Sequence, residues 1–316
     1  MIPILYESTE KDFKSNGIHR LRDCLRCEVT EERNGIYELE LDYPVDGAYF
    51  EEIVPGRIIV AEHDKTGDVQ PFDIYRYSKP INKVVTFYAH HVSYRTKGLT
   101  MASYPSSITD LSQIFLYLYM VDGNEFMYDT NVTANGTASC LKSLPLTVRE
   151  ILGGVEGSVL DAFGGEYEWD KFVIYLHKAR GIDTDYTVRY GLNMTEYNDD
   201  CDYSDSYFSC IPFWRGTDAN NQEVTVIGSE VQSFYESYDR HKHCIPLDLT
   251  DKFESQPTTN DLESAAFSYM LSNQTHLPRQ TIKVDFIMLE DTEELKNFAN
   301  LQELSLCDTI KVEFPL

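Results

Sequence analysis

The clearest pattern along the chain is a strict alternation of apolar and polar residues near its start. Residues 37–43 alternate between Tyr or Leu and Glu or Asp, the period expected of a strand with one buried face. A first run at 27–33 precedes this one, and Asn34-Gly35 lies between them. Because Asn and Gly both tolerate positive φ, the pair predicts a β-hairpin with a type I′ turn, and Pro44 is expected to end the second strand.

Further short runs of strand type follow at 57–62, 70–77 and 83–90. No segment with helical spacing separates them. Four or five short strands without an intervening helix predict a small barrel or sandwich in this part of the chain.

The pattern changes between about 95 and 165. Apolar residues at helical spacing predict a helix over 107–120. Thr147 and Glu150 form a capping-box sequence for a helix at 146–152. A further short helix at 157–163 is expected to end at Gly164-Gly165. This stretch is therefore predicted to be a mixed α/β insert.

Strands are predicted again in the last part of the chain, with Arg180-Gly181 as the turn between the first two. A helix is expected at 260–272, capped by Asn260 with Glu263 three residues on, and another at 292–300. An acidic loop is expected at 198–205. The predicted strands are 167–176, 187–190, 209–214, 223–228, 281–288 and 308–314.

Charge narrows the range of functions. The chain has 316 residues, which suggests about two domains, and its 27 Lys and Arg against 52 Asp and Glu give a formal net charge of −25. We do not expect so acidic a protein to hold nucleic acid or an anionic membrane through phosphates, because that requires clustered basic residues. Its 22 Tyr and 16 Phe favour a β-rich fold.

Signals for export or membrane insertion are not expected. The start lacks a basic segment followed by an apolar core, and the most apolar stretch, 114–121, is shorter than the ~20 residues of a membrane span. The cysteines number seven and are scattered, which is typical of folding in a reducing cytoplasm.

Two motifs have the spacing of metal ligands. Cys24 and Cys27 form a CxxC pair, but a zinc site needs a second pair and a redox site needs a helix start, so half-buried thiols are expected. His241 and His243, next to Cys244, would share one face of a strand, but no further ligand cluster follows them. No metal or cofactor is therefore expected.

Other polar groups also fail to form a predicted site. His90 and His91 would point to opposite faces of a strand and cannot share a ligand. The acidic run departs from the EF-hand pattern, so a solvated loop is expected there and not a calcium site. No nucleophile motif, phosphate-binding loop or HExxH is present, so no catalytic residue is expected. The aspartates of the run are Asp199, Asp200, Asp202 and Asp205.

Several stretches together carry a family resemblance, namely 27–44, 71–76, 89–94, 157–170, 179–181, 190–193 and 306–312. They resemble, in the same order and over nearly the whole chain, the tail proteins of Gram-positive siphophages and prophages. That family is labelled phage minor structural protein or prophage endopeptidase tail. One departure is Cys307, which stands where the family usually has Gly.

The resemblance implies an α+β fold, mainly β, with two tube-like antiparallel β-barrels and smaller inserted α/β domains. The first barrel would span 1–95, completed by about 180–215, with an α/β insert at 96–179. The second would use 216–256 and 279–316, with a helical insert at 257–278. The family's strands usually continue past this point, so the second barrel is expected to be incomplete or differently closed.

The resemblance also implies a structural function. Three copies would form the hub of the baseplate at the distal end of the virion tail, made in the cytoplasm of the bacterial host. The ring would close the tail tube, dock to the distal tail protein, adjoin the tape measure protein and let DNA pass without specific binding. No enzymatic activity and no membrane insertion are expected of this chain. The family label leaves a peptidoglycan endopeptidase as the alternative, and a receptor- or carbohydrate-binding tip is a third hypothesis.

If the chain has this role, the placement of the acidic row on the hairpin becomes important. Glu38, Glu40 and Asp42 are expected to point out of the barrel, because the opposite, apolar face of the strand must be buried. The row would face either a DNA channel, whose negative wall would repel phosphates, or the outer solvent. The sequence leaves both placements open.

Overall fold

The computed structural model describes residues 2–63, 67–78, 82–105, 110–133, 136–218, 222–233, 243–253, 255–287 and 304–313. The chain divides into two units, Met1–Tyr186 with Gln302–Lys311 and Thr187–Leu301 with Val312–Leu316. Strands predominate over short helices, which confirms the predicted α+β, mainly β class.

The strands of the described residues are numbered here in chain order. They are β1 (Ile4–Tyr6), β2 (His19–Arg20), β3 (Arg26–Glu31), β4 (Tyr37–Pro44), β5 (Ile58–Glu62), β6 (Val69–Tyr77), β7 (Val84–His91), β8 (Thr100–Met101), β9 (Met127–Thr130), β10 (Leu146–Thr147), β11 (Glu166–Asp170), β12 (Val173–His177), β13 (Asp183–Arg189), β14 (Met194–Asp202), β15 (Ser209–Thr217), β16 (Glu223–Ile227), β17 (Val231–Gln232), β18 (Cys244–Asp248), β19 (Arg279–Phe286) and β20 (Thr309–Glu313).

Among the α-helices described, α4 has 14 residues and the others have nine or fewer. The α-helices are α1 (Leu111–Tyr119), α2 (Val148–Leu152), α3 (Val159–Phe163) and α4 (Thr259–Ser272), and 3₁₀ segments lie at Phe50–Glu52, Val92–Gly98, Ser139–Ser143 and Thr250–Lys252.

The first unit is built on an antiparallel seven-stranded sheet in the order β2-β1-β5-β6-β7-β4-β3. The alternation predicted for 37–43 is confirmed, since its Tyr and Leu residues are at most 2% exposed and its acidic residues are half-buried. The sheet curls, because Glu31 at the end of β3 lies 3.1 Å from His63 just after β5, although three strands separate β3 from β5. Apolar side chains fill the inside of the curl.

The turn between β3 and β4 differs from the predicted type I′ turn. Glu32 N donates to Ile36 O at 2.8 Å, so three residues form the loop, and of these Asn34 alone has a left-handed backbone, with φ of 56°. The Asn34 side chain donates to Gly165 O at 3.0 Å and accepts from Tyr167 N at 2.8 Å. The loop is therefore bonded to a distant segment through Asn34. Turn rules derived from isolated hairpins do not take such a contact into account.

A mixed α/β part of the first unit shares one apolar core with the curled sheet. The predicted helices are present as α1, α2 and α3, and the capping box of Thr147 and Glu150 is confirmed. The predicted strand at 167–176 is instead a hairpin of β11 and β12, which turns at Lys171 with φ of 51°. β9 joins this hairpin parallel to β12. The sequence hides the turn because it contains neither Gly nor Pro.

The second unit is organised around β15, which pairs antiparallel with β16 and β17 and parallel with β18. The helix α4 contributes to the apolar core around Trp214, which is 3% exposed. The helix is capped by Thr258 and not by Asn260, because Thr258 and Asp261 form the capping box. Glu263, the expected partner of Asn260, instead accepts from Ser229 N at 2.8 Å.

The predicted acidic loop at 198–205 is largely a strand. β14 pairs antiparallel with β19, with Asp199 opposite Ile282 and Asp202 opposite Arg279. Gln280 Nε2 donates to both carboxylate oxygens of Asp199, at 2.9 and 3.1 Å. Asp is disfavoured in strands, so this long-range pairing overrides the local preference.

The seven-stranded sheet forms without strands from 180–215. In the described part of the chain, β13 pairs with β20, β14 with β19 and β15 with β16, β17 and β18. The division into two barrels and inserts remains a prediction. The helix expected at 292–300 lies outside the described residues.

Cys307 occupies the backbone conformation that glycine favours. Its φ is 75°, in a turn closed by the bond from Asp308 N to Ser305 O at 3.1 Å. Gly181 packs directly against this turn, where a side chain would overlap the Cys307 backbone. The resemblance to a family with Gly at this position therefore has a physical basis here.

We expect Cys307→Gly to raise the free energy of unfolding by about 0.5 kcal/mol, because glycine avoids the strain of a left-handed L-residue but is freer when unfolded. Urea denaturation would measure the change. The control Cys201→Gly, in the exposed strand β14, should lower stability by about 0.5–1 kcal/mol. A loss of stability in Cys307→Gly equal to that of the control would contradict this reading.

Candidate functional site

The side of the curled sheet opposite its apolar core carries a continuous group of polar side chains, here called the polar face. It includes the predicted acidic row on β4, to which β3 and β7 contribute from either side. The polar face comprises Arg26, Glu28, Thr30, Glu38, Glu40, Asp42, Arg76, Thr86, Tyr88 and His90.

Arg26 organises the acidic half of the polar face. Its guanidinium donates to Asp42 at 2.8 Å, to Glu40 at 2.7 Å and to Glu28 at 2.8 Å. Thr86 Oγ1 also donates to Asp42, at 2.6 Å. Burial alone would raise the pKa of Asp42, but the hydrogen bonds from Arg26 and Thr86 outweigh it and the pKa is lowered. The row is therefore an ordered ion-pair network.

His90 forms the other half. Its Nε2 lies 3.2 Å from Glu38, and its ring stacks between Tyr75 at 3.8 Å and Tyr94 at 4.4 Å. Burial lowers the pKa of His90, although Glu38 opposes the shift, so the imidazole is neutral at pH 7. The four carboxylates of the polar face outnumber its two guanidinium groups, those of Arg26 and of Arg76, which lies over the Tyr88 ring at 3.8 Å. The polar face is therefore acidic on balance.

A buried ion pair links the curled sheet to the hairpin of β11 and β12. The Arg180 guanidinium donates to the two oxygens of Glu31 at 2.5 and 3.3 Å, and His63 Nε2 lies 3.1 Å from the same carboxylate. The Glu31 side chain is only 4% exposed and that of Arg180 15%. The sequence predicts a turn at Arg180. It does not reveal the ion pair, because Glu31 is 149 positions away in the chain.

Arg149 is a second arginine that sequence reasoning missed. It lies within the confirmed capping box, and its guanidinium sits over the rings of Trp169 at 4.4 Å and Tyr94 at 4.9 Å. Burial lowers the pKa of Arg149. The two rings stabilise the charge in place of solvent, while the buried Nη1 of Arg149 has no hydrogen-bond partner among the described residues.

His90 and His91 point to opposite sides of β7, as predicted. His91 is fully buried in the core, where its Nδ1 accepts from Ser93 N at 3.3 Å and its Nε2 lies 3.3 Å from Gln70 Oε1. Burial holds the pKa of His91 well below its usual range, so the ring is neutral. His91 is a core residue, and each of its ring nitrogens has a hydrogen-bond partner.

The cysteine and histidine motifs do not assemble into a site in the described residues. Cys24 and Cys27 are half-buried free thiols at the start of β3. A hydrogen bond between them lowers the pKa of Cys24 and raises that of Cys27. His241 lies outside the described residues, whereas His243 packs its ring against Phe208 at 6.1 Å.

The aspartates of β14 do not converge. Asp199 and Asp200 are neighbours in a strand and point to opposite faces, so they cannot chelate one ion together. Among the residues with described positions, no three His, Cys, Asp or Glu side chains form a group that could hold a metal ion. No helix in the described ranges has the length and apolarity to span a membrane.

Comparisons with known proteins place the fold. The chain is similar to a prophage tail protein, gp18, from Listeria monocytogenes, with 15% identity, a TM-score of 0.51 and coverage of 78% of this chain and 72% of that one. It is also similar to a tail protein from Neisseria meningitidis, with 7% identity, a TM-score of 0.51 and coverage of 98% and 86%. No family model matches the sequence. Curated proteins give no significant match. The resemblance to tail proteins seen in the sequence is thus confirmed as a shared fold.

Proposed function

We propose that this chain is a structural component of a phage or prophage tail. The observation that carries the proposal is the similarity of fold to two tail proteins, one of which is matched over 98% of this chain. The ordered ion-pair network on the polar face also suits a structural part, since its charged groups bond to one another.

Within the tail, we place the chain in the hub at the distal end. In this proposal three copies form a ring that closes the tail tube, docks to the distal tail protein and adjoins the tape measure protein. The Gram-positive host rests on the sequence resemblance alone. The division into two barrels with inserts belongs to the same proposal, because a pair of barrels in each of three copies would present six similar units to a hexameric partner.

The trimer is tested by sedimentation of the purified chain. Since each copy carries −25, like-charge repulsion at the interfaces should weaken the ring at low salt. We expect monomers in about 20 mM salt and trimers in about 500 mM salt at high protein concentration. A chain that forms only dimers at high salt and concentration would contradict the ring.

The rival function is a peptidoglycan endopeptidase. Zymography with the purified chain on cell walls separates the two hypotheses, and we expect no lysis. Clear lysis abolished by one point mutation would overturn the structural proposal. A receptor- or carbohydrate-binding tip ranks lower, because the stacked tyrosines Tyr75 and Tyr94 contact His90 of the chain itself.

We further propose that the polar face lines the DNA channel. The network around Arg26 shows which carboxylates to change. Asp42 is held by both Arg26 and Thr86 and is 22% exposed. Glu40 bonds to Arg26 and Glu38 lies beside His90, and they are more exposed, at 44% and 36%. We expect Glu38→Lys with Glu40→Lys to slow DNA ejection from the virion, because phosphates would bind the altered wall.

The matched control is Asp12→Lys with Glu51→Lys, which changes the charge equally at exposed positions of the same unit. Ejection kinetics followed by release of dye-labelled DNA should be normal in the control. Normal kinetics in both virions, with intact tails, would instead assign the polar face to the outer solvent.

A further inference from the structure

An open groove lies between α1 and β9, apart from the polar face. Its volume is about 340 Å³. Phe115 and Tyr128 form its floor, with ring centroids 5.7 Å apart. Leu116, Tyr119 and Met127 rise at its sides and are 50%, 57% and 63% exposed. So much apolar surface at one place marks an interaction site.

The groove follows the edge of a strand. All four residues of β9 line it, and successive side chains of a strand point to opposite faces, so the groove contacts the edge itself. On its other side β9 pairs parallel to β12, where Met127 N donates to Phe172 O at 2.9 Å.

The backbone of Tyr128 faces the groove. In a parallel ladder alternate residues bond to the same neighbour, so Met127 and Asp129 bond to β12 and the N–H and C=O of Tyr128 point to the opposite edge. Among the described strands, no strand pairs with that edge of β9. Such an edge is a template for a further strand.

The surroundings of the groove are acidic. Between Lys97 and Lys142 the sequence contains no Lys, Arg or His. Asp129 lines the groove and is exposed, and Asp122, three residues after Tyr119 of the groove, is exposed as well. The Asp129 carboxylate accepts from Thr130 N at 2.8 Å and forms no ion pair with a basic side chain in the described ranges. Glu125 of the same segment, in contrast, pairs with Arg95 and Lys11.

We propose that the groove between α1 and β9 binds an extended, basic segment of a partner protein. The segment adds as a strand to the edge of β9, bonds to the backbone of Tyr128 and places alternate apolar side chains between Leu116 and Met127. Its lysines or arginines lie near Asp122 and Asp129. A second copy of this chain fits less well, because its charge of −25 would repel the acidic rim. The proposal is independent of the tail function.

The test uses the full chain and a fluorescein-labelled peptide with three Lys-Val repeats, in about 150 mM salt. Fluorescence anisotropy should show saturable binding. The variant Leu116→Gln with Met127→Thr keeps the charge and removes the apolar sides, and it should weaken binding about tenfold or more. Asp129→Asn removes one of the two rim charges and keeps the hydrogen bond from Thr130 N. It should therefore weaken binding, but less than the groove variant does.

Three controls keep the result specific. Tyr77 on β6 is 55% exposed, similar to Tyr119 of the groove at 57%, and the variant Tyr77→Gln should bind the peptide like the parent chain. A peptide with Glu in place of Lys should not bind. Of two Lys-Val peptides, one methylated on the valine and one on the lysine backbone nitrogens, the one whose blocked N–H groups face β9 should not bind, because alternate residues of a strand bond to the same neighbour. Equal binding of the groove variant, of the Glu peptide or of both methylated peptides would overturn the proposal. Self-association that the groove variant abolishes would overturn it in favour of a second copy.

Discussion

Arg180→Ala is expected to lower the free energy of unfolding of the first unit by about 3–5 kcal/mol, because it leaves the buried Glu31 carboxylate without its main cationic partner. Glu31 is 4% exposed, so water cannot replace the guanidinium that now lies 2.5 Å away. Urea denaturation followed by circular dichroism would measure the loss.

Arg33→Ala is the matched control, since Arg33 also pairs with a carboxylate, in this case Glu166 of β11 at 3.3 Å, but is 65% exposed. An exposed pair of this kind contributes about 0–1 kcal/mol. The double variant Glu31→Leu with Arg180→Met should recover part of the loss, because an apolar pair needs no compensating charge. Recovery should be incomplete, because His63 Nε2 loses the Glu31 carboxylate that lies 3.1 Å away. Similar losses in Arg180→Ala and Arg33→Ala would show that the pair is not buried in solution.

Stability of the first unit should also fall on acidification, because of His91. The pKa of His91 is held well below its usual value of 6.5 by burial, so the unfolded chain takes up the proton first. The contribution of His91 to the free energy of unfolding is therefore fully present above pH 6.5. The free energy of unfolding should fall by about 1.4 kcal/mol for each pH unit below 6.5, until the folded imidazole protonates.

The variant His91→Gln isolates this contribution from those of other groups, since glutamine keeps a donor and an acceptor but does not titrate. Urea denaturation between pH 7.5 and pH 5 should give a shallower pH dependence for the variant than for the parent chain. Parallel curves would mean that His91 does not control this pH dependence.

The part of the fold that sequence reasoning predicts is the part with local causes. The alternation in β4 follows from burial of one face, and the capping box at Thr147 follows from hydrogen bonds within a single turn. The opposite orientations of His90 and His91 need only the pleat of a strand.

The register of the first hairpin shows where local rules end. A two-residue turn would set Cys27 opposite Asp42, whereas the observed three-residue loop sets Arg26 there. One residue of register moves every side chain of β3 to the other face, so the Arg26 network depends on loop length. That loop is joined to a later strand through Asn34, a contact that the hairpin sequence does not reveal.

The buried ion pair, the groove and β14 also depend on contacts between distant parts of the chain. Glu31 and Arg180 are 149 positions apart, and the groove between α1 and β9 exists because β9 joins a hairpin formed much later in the chain. Asp-rich β14 becomes a strand only through pairing with β19. Long-range pairing determines these elements, and composition alone predicts the opposite.

The measurement that tests the structural tail proposal most directly is detection of this chain in purified virions of the phage or prophage that encodes it. Mass spectrometry of the particles and labelling with gold-conjugated antibody under the electron microscope would give its presence and position. We predict that the chain is a constituent of intact virions and that the label lies at the distal end of the tail. Virions with normal tails that lack the chain would contradict the account.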